Sequence, residues 1–118
     1  MIRQMPETRP GEERRRFERI DIDSSAQVLA LDSKGKKAGV LRQLARGGFM
    51  MEPEKNYEKD RIYRFTIHEP NEDIKVEVSA RLRFLGDRFA GFEFVELNSE
   101  AAVQIGLIIG KYYDTGKA

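Results

Sequence analysis

Short runs of alternating apolar and polar residues constrain the fold of this chain more than any other feature. The clearest run places Val76, Val78, Ala80, Leu82 and Phe84 on one face and charged or small polar residues on the other. A period of two is typical of a β-strand with one buried face. Weaker runs of the same kind occupy residues 20–32, 37–44, 49–51, 63–67 and 89–95. The pattern therefore predicts about six short strands.

The segments between these runs have turn chemistry. Residues 32–36 (DSKGK) and 69–73 (EPNED) combine Asp, Asn, Gly and Pro, and Gly86-Asp87 has the sequence of a tight hairpin. Connections this short favour antiparallel neighbours. The strands are therefore expected to form a small barrel or a curled sheet.

The apolar period changes after Asn98, which suits the N-cap of a helix. Ile105, Ile108, Ile109 and Tyr112 follow at the spacing of one helical face, and Gly116 is the expected end. A single helix is thus predicted after the last strand, covering or plugging the sheet. The predicted class is mainly β: a small six-stranded antiparallel β-barrel with a C-terminal α-helix.

The 118 residues suit one domain. Residues 1–13 are rich in Pro, Gly and charge and predict a mobile N-terminal arm; residues 14–114 form the domain, and 115–118 a C-terminal tail. The sequence has no cysteine, no signal-peptide pattern and no membrane-length apolar run, which favours a cytoplasmic protein without membrane insertion. A net charge of +1 argues against nonspecific DNA binding.

Residues suited to catalysis are scarce. The single histidine, His68, precedes a turn and has neither cysteine nor a second histidine with which to bind zinc or iron. Gly47-Gly48 lacks the Lys-Ser/Thr of a phosphate loop. We therefore expect a protein that binds a ligand or partner and is not an enzyme, with no metal and no cofactor.

Arginine is concentrated in two places. Arg14, Arg15, Arg16 and Arg19 stand just before or at the start of the first strand, and the segment 42–48 (RQLARGG) adds Arg42 and Arg46 beside the double glycine. A guanidinium grips phosphate in a bidentate way and stacks on bases. Both segments also have a purely structural interpretation. The arginines before the first strand can be solvated and paired with neighbouring glutamates, and the Gly-Gly can simply form a bulge or turn.

These residues resemble the PilZ domain family, bacterial receptors for cyclic di-GMP. RRFER, residues 15–19, matches the family motif R-x-x-x-R before the first strand. The second family motif, [D/N]-x-S-x-x-G, aligns with residues 43–48 (QLARGG). The order of motif, strands, double glycine and terminal helix extends the resemblance over roughly residues 12–112. It implies the six-stranded barrel with a terminal helix.

The resemblance also implies roles for individual residues. Arg15 and Arg19 would grip the phosphates and guanines of cyclic di-GMP, with Arg14 or Arg16 adding a phosphate contact. The second motif would contribute Gln43 to a guanine edge, Arg46 to phosphate or base, and Gly48 as the position of close ligand approach.

This sequence departs from the second motif at Gln43 and Ala45. Gln43 keeps the amide of Asn but is one methylene longer, and Ala45 lacks the serine hydroxyl. Loss of both contacts costs about 2 to 4 kcal/mol.

Three functions remain open. The first is a single-domain cyclic di-GMP receptor that signals through a ligand-dependent change of its surface, either with this ligand or with another cyclic dinucleotide. The second is a PilZ-like adaptor that has lost nucleotide binding and acts on an unidentified protein partner in motility, pilus or polysaccharide control. The third is a small RNA-binding barrel, which the near-zero net charge disfavours.

Overall fold

A computed structural model describes residues 19–117 of the chain. Strands account for most of this part, followed by one long helix. The elements in chain order are β1 (Arg19–Asp21), a 3₁₀ turn (Ser24–Ala26), β2 (Leu29–Leu31), β3 (Lys37–Ala45), β4 (Gly48–Pro53), β5 (Ile62–Glu69), β6 (Ile74–Leu85), β7 (Ala90–Val95) and α1 (Ser99–Lys117). The predicted arm, residues 1–13, lies outside the described residues.

The strands form a closed antiparallel barrel. The sheet order is β1-β3-β2-β5-β6-β7-β4, and an additional pairing of β3 with β4 closes it. Strands β1 and β2 both pair with the edge of β3 that is opposite to β4, so they occupy one position between them. The barrel therefore has six strand positions, and the predicted fold class is confirmed.

The first predicted strand, residues 20–32, is wrong as one continuous element. The 3₁₀ turn interrupts it, because the Asp23 side chain accepts a hydrogen bond from the Ser25 amide and Gln27 adopts a left-handed backbone with φ of 56°. Ile20, Ile22, Val28 and Ala30 are nevertheless buried as the pattern predicted. The period of two identified the buried residues but not the break between them.

Two of the three β-bulges among the described strands change which residues face outward. The register shifts between Leu41 and Gln43 in β3, and between Leu82 and Phe84 in β6. A bulge adds one residue, so the alternation of faces changes at that point. As a result Phe84, predicted to share the buried face of β6, is 54% exposed on the outside of the barrel.

Aromatic rings fill part of the barrel interior. Phe49 and Phe92 stack with their centroids 5.2 Å apart, and Phe65 meets Phe92 edge-on at 5.1 Å. Tyr57 and Tyr63 extend the cluster. Such pairs stabilise a core beyond the area they bury, so β4, β5 and β7 are fixed relative to one another from the inside.

Helix α1 packs on the barrel as the sequence predicted. The Asn98 side chain accepts a hydrogen bond from the Ala101 amide at 2.8 Å and caps the helix. Ile105, Ile108, Ile109 and Tyr112 are buried on its inner face. The helix contacts β1, β3 and β6. It continues to Lys117, one residue beyond Gly116, which was expected to end it.

A buried carboxylate ties the end of α1 to the β5–β6 turn. Glu69 has no exposed surface and accepts hydrogen bonds from the Tyr112 hydroxyl at 2.6 Å and from the amides of Asn71 and Glu72. Burial alone would raise the pKa of Glu69, but these hydrogen bonds outweigh it and hold that pKa below its ordinary value. Burial, followed by the Glu69 contact, raises the pKa of Tyr112.

Candidate functional site

The outer face of β1, β3, β4, β7 and β6 carries two rows of residues that run across the strands. The rows follow from strand pairing, because each residue of a row lies opposite the next one on the neighbouring strand. The first row is Asp21, Gln43, Met50, Gly91 and Phe84. The second row is Arg19, Ala45, Gly48, Glu93 and Arg81. Neighbouring strands lie about 4.8 Å apart, so residues distant in sequence become close neighbours.

An open groove of about 610 Å³ lies over these rows. Its middle is low because Ala45, Gly48 and Gly91 carry little or no side chain. Its wall includes Arg19 and Gln43 on one side and Arg83, Phe84 and Glu93 on the other. A low floor between walls that carry arginine and one exposed aromatic ring suits a flat ligand with anionic groups.

The groove brings together all five predicted site residues that fall within the described part of the chain. It is lined by Arg19, Gln43, Ala45, Arg46 and Gly48. The link between the two motifs is the antiparallel pairing of β1 with β3, which sets Arg19 opposite Ala45. Arg14, Arg15 and Arg16 lie outside the described residues.

Gln43 is already engaged in a hydrogen bond. Its amide nitrogen donates to Oδ1 of Asp21 at 2.9 Å, across the β1–β3 pair. The same side chain still lines the groove. A contact to a base edge therefore has to compete with this bond or use the amide oxygen.

Gly48 has a structural reason to be glycine. A Cβ atom built on it would lie 2.1 Å from the carbonyl oxygen of Phe92, on the neighbouring strand β7. A side chain at this position would separate β4 from β7. Gly47 is different, because a Cβ there would meet nothing within 4 Å. The predicted role of Gly48 in ligand approach remains a prediction, alongside this packing role.

Arg46 reaches from the β3–β4 turn to the helix. Its guanidinium lies against Gly106 of α1: a Cβ built on Gly106 would be 3.3 Å from Nη1 of Arg46. Gly106 thus leaves room for the Arg46 side chain beside the helix. Gly110, one turn later, is exposed and has nothing within 4 Å of its Cβ position.

Arg42 does not line this groove. As the extra residue of the β3 bulge, it pairs with Glu52, and its guanidinium lies 5.8 Å from the centre of the Phe89 ring. The bulge thus separates the two arginines of the segment 42–48. His68 is also remote: its Nε2 lies 2.9 Å from Oδ1 of Asp73 across the β5–β6 turn.

Sequence reasoning missed the far wall of the groove. Arg83, Phe84 and Glu93 line it, and none was selected from the sequence. The pattern assigned Phe84 to the core, and Glu93 looked like an ordinary outward strand residue. A signal existed for Glu93, since it alternates with the apolar Phe92 and Phe94, but only the strand order shows which outward residues share a surface.

The described residues contain no cluster of three or more side chains placed to hold a metal ion. No helix in the described part of the chain is both long and apolar enough to cross a membrane.

A family model described as PilZ domain matches residues 13–110. A search of curated proteins found no match.

Solved structures share the fold at low sequence identity. The PilZ domain of YcgR from Escherichia coli, solved with c-di-GMP, has a TM-score of 0.67 at 13% identity, covering 79% of this chain and 86% of that one. MotI/DgrA, an inhibitor of motility from Bacillus subtilis, has a TM-score of 0.65 at 15% identity, covering 86% and 52%. The MrkH–c-di-GMP complex of K. pneumonia has a TM-score of 0.67 at 9% identity, covering 84% and 52%.

The barrel, the terminal helix and the position of Arg19 beside the second motif agree with the family match, which spans most of the chain. This chain belongs to the PilZ domain family.

Proposed function

We propose that this protein is a cyclic di-GMP receptor, and not an enzyme, whose ligand occupies the groove over β1, β3, β4 and β7. One observation carries the proposal: the pairing of Arg19 with Ala45 puts the last residue of the first motif beside the second motif, in a single groove. The structural neighbours YcgR and MrkH, both solved with c-di-GMP, support the choice of ligand.

The charge of the groove fits a ligand with two phosphates. Arg19, Arg46 and Arg83 line it, against one described carboxylate, Glu93. The excess of arginine is local, since the whole chain has a net charge of only +1. In this proposal Arg15 and Arg19 grip the ligand, Arg14 or Arg16 adds a phosphate contact, and Arg46 supplies a further cation.

Signalling in this proposal occurs in the cytoplasm through a surface that changes on binding. Arg46 connects the groove to α1 by its contact with Gly106. A ligand phosphate that attracts this guanidinium would remove it from the helix and alter the surface offered to a partner protein. The neighbour MotI is an inhibitor of motility, and control of motility, pili or polysaccharide is the kind of output we propose.

A second candidate function is an adaptor that does not bind nucleotide. The hydrogen bond of Gln43 to Asp21, together with the missing hydroxyl at Ala45, favours it. In that case the arginines would serve a protein partner.

Calorimetric titration with cyclic di-GMP tests the proposal. Saturable binding at micromolar affinity or tighter is expected, and Arg19→Ala should weaken it about 10- to 100-fold because a charge-assisted contact is lost. Arg64→Ala is the matched control, since Arg64 is exposed on β5, lies outside the groove and pairs with Glu77. Both variants should keep the melting temperature of the parent.

GTP and a linear dinucleotide serve as ligand controls. The absence of binding heat up to millimolar cyclic di-GMP, at two temperatures, would favour the adaptor. Unchanged affinity in Arg19→Ala would place the ligand elsewhere on the protein.

A further inference from the structure

Glu93 occupies an unusual position for an acidic residue. It lies opposite Gly48, the last residue of the second motif, and is the one carboxylate among the described residues that line the groove. A carboxylate beside an anionic ligand is unfavourable unless it is neutralised or has a use in binding. Two observations bear on Glu93: an arginine lies beside it, and no described residue donates a hydrogen bond to its carboxylate oxygens.

Arg83 supplies the neutralising charge. Its Nε lies 3.4 Å from Oε1 of Glu93, and its Nη1 lies 3.8 Å from Oδ1 of Asp60. All three side chains are more than half exposed. A pair of this kind adds little to stability, so it does not by itself explain the presence of an acid in the groove.

The acceptor atoms of Glu93 are available. No described residue donates a hydrogen bond to it, and its contact with Arg83 is an ion pair without hydrogen-bond geometry. Gln43 donates its amide nitrogen to Asp21, and its amide oxygen is a single neutral acceptor. Ala45 has no polar side chain at all. Among the described residues that line the groove, Glu93 on β7 is therefore the side chain that offers two charged acceptor oxygens.

We infer that Glu93 is the residue that selects guanine in this protein. The inference rests on the proposed function. A guanine offers two parallel donors, N1–H and N2–H, on its Watson–Crick edge, and a carboxylate is an acceptor-only group with two oxygens that match them. Adenine presents an acceptor at N1, which a carboxylate repels. A base lying over Ala45 and Gly48 would meet Glu93 one strand away.

Phe84 gives the same part of the groove a flat apolar surface. It pairs with Gly91, two residues before Glu93 on β7, and its Cβ would lie 3.4 Å from a Cβ built on Gly91. The ring is exposed because the β6 bulge turns it outward. A base that stacks on an aromatic ring is held in the orientation that an edge contact needs.

The test compares two cyclic dinucleotides on three proteins. Cyclic di-GMP and cyclic di-AMP are titrated into the parent protein, Glu93→Gln and Glu77→Gln by calorimetry. Glu77 is the matched control, because it is an exposed strand carboxylate paired with an arginine and lies outside the groove. The parent and the control should prefer cyclic di-GMP.

In Glu93→Gln the affinity for cyclic di-GMP should fall about 10- to 100-fold, as expected for lost hydrogen bonds to a charged group. The affinity for cyclic di-AMP should stay the same or increase, so the preference disappears. An unchanged preference in Glu93→Gln, or a parent protein that binds both equally, would overturn the inference while leaving the receptor proposal intact. A parent that binds neither would overturn both. Arg19→Ala separates the two ideas, because it should weaken both ligands alike.

Discussion

The two faces of β3, β4 and β7 differ in what determines their residues. The inner face holds Leu44, Phe49 and Phe92, all buried and in contact within one core. The outer face of the same strands holds Ala45, Gly48 and Glu93, which form a groove with a low floor. Packing determines the inside, where close fit decides stability. On the outside, packing explains Gly48, whose Cβ would collide with the Phe92 carbonyl, but it does not explain the small Ala45, because strands favour bulkier residues.

Phenylalanine occurs on both faces, so truncating one residue on each face compares how much the two faces contribute to stability. Phe92 is 4% exposed and Phe84 is 54% exposed. Phe92→Ala should lower the free energy of unfolding by about 3–5 kcal/mol, whereas Phe84→Ala should change it by less than about 1 kcal/mol. Urea unfolding followed by circular dichroism measures both. Equal losses would mean that the groove face is part of the core.

Glu69 is the buried charged residue in the described interior and gives the second test. Tyr112→Phe removes one of its hydrogen bonds, which should cost about 1.5–3 kcal/mol at pH 7. The pKa of Glu69 is lowered in the folded state, so its stabilising contribution exists above the ordinary Glu pKa of about 4.3 and is lost as the pH falls below that value.

The loss caused by Tyr112→Phe should therefore shrink at pH 3.5. Urea unfolding of parent and variant at the two pH values measures this. A loss of equal size at both would show that the ionised form of Glu69 gains nothing from the tyrosine.

The inner face was predictable from sequence to a large extent. Val76, Val78, Ala80 and Leu82 are buried as their alternation predicted, because one solvent-excluded face imposes a period of two. Phe84 was the exception. A bulge changes the alternation without leaving a clear signal in the sequence, so the pattern continued the buried face one residue too far.

The candidate site was predictable only where a motif described it. Arg19, Gln43 and Gly48 were selected from the resemblance, and the structure places them in one groove. Arg83 and Glu93 belong to strands that meet the second motif only through the order β6-β7-β4. The strand order depends on contacts between distant segments of the chain. The alternation within each strand shows which residues share a face, but not which strands are neighbours.

Gly47, in the β3–β4 turn, and Gly48, the first residue of β4, can be used to distinguish a packing role from a ligand-binding role. Gly48→Ala should lower the free energy of unfolding by about 1–3 kcal/mol, because its Cβ would collide with the Phe92 carbonyl. Gly47→Ala is the matched control and should be nearly neutral, since its Cβ position is open. Thermal unfolding compares them. If Gly48→Ala kept full stability and lost only ligand affinity, Gly48 would serve the ligand alone.

The smallest expected effect lies on the groove floor. Ala45→Ser restores the hydroxyl of the family motif, and one neutral hydrogen bond of about 1 kcal/mol corresponds to roughly fivefold tighter cyclic di-GMP binding. Adding Gln43→Asn restores the second motif residue, and the double variant should bind at least as tightly as Ala45→Ser. Stability should not change in either, because both positions are only partly buried on the outer face.

Ala45→Val distinguishes the hydroxyl from mere bulk. Valine suits a strand but fills the floor without offering a donor, so it should weaken binding while Ala45→Ser strengthens it. Calorimetry of the three variants gives the order directly. If serine and valine had the same effect, the floor would act through shape alone. Residue 45 would then belong, like the inner face, to the part of the barrel where packing decides.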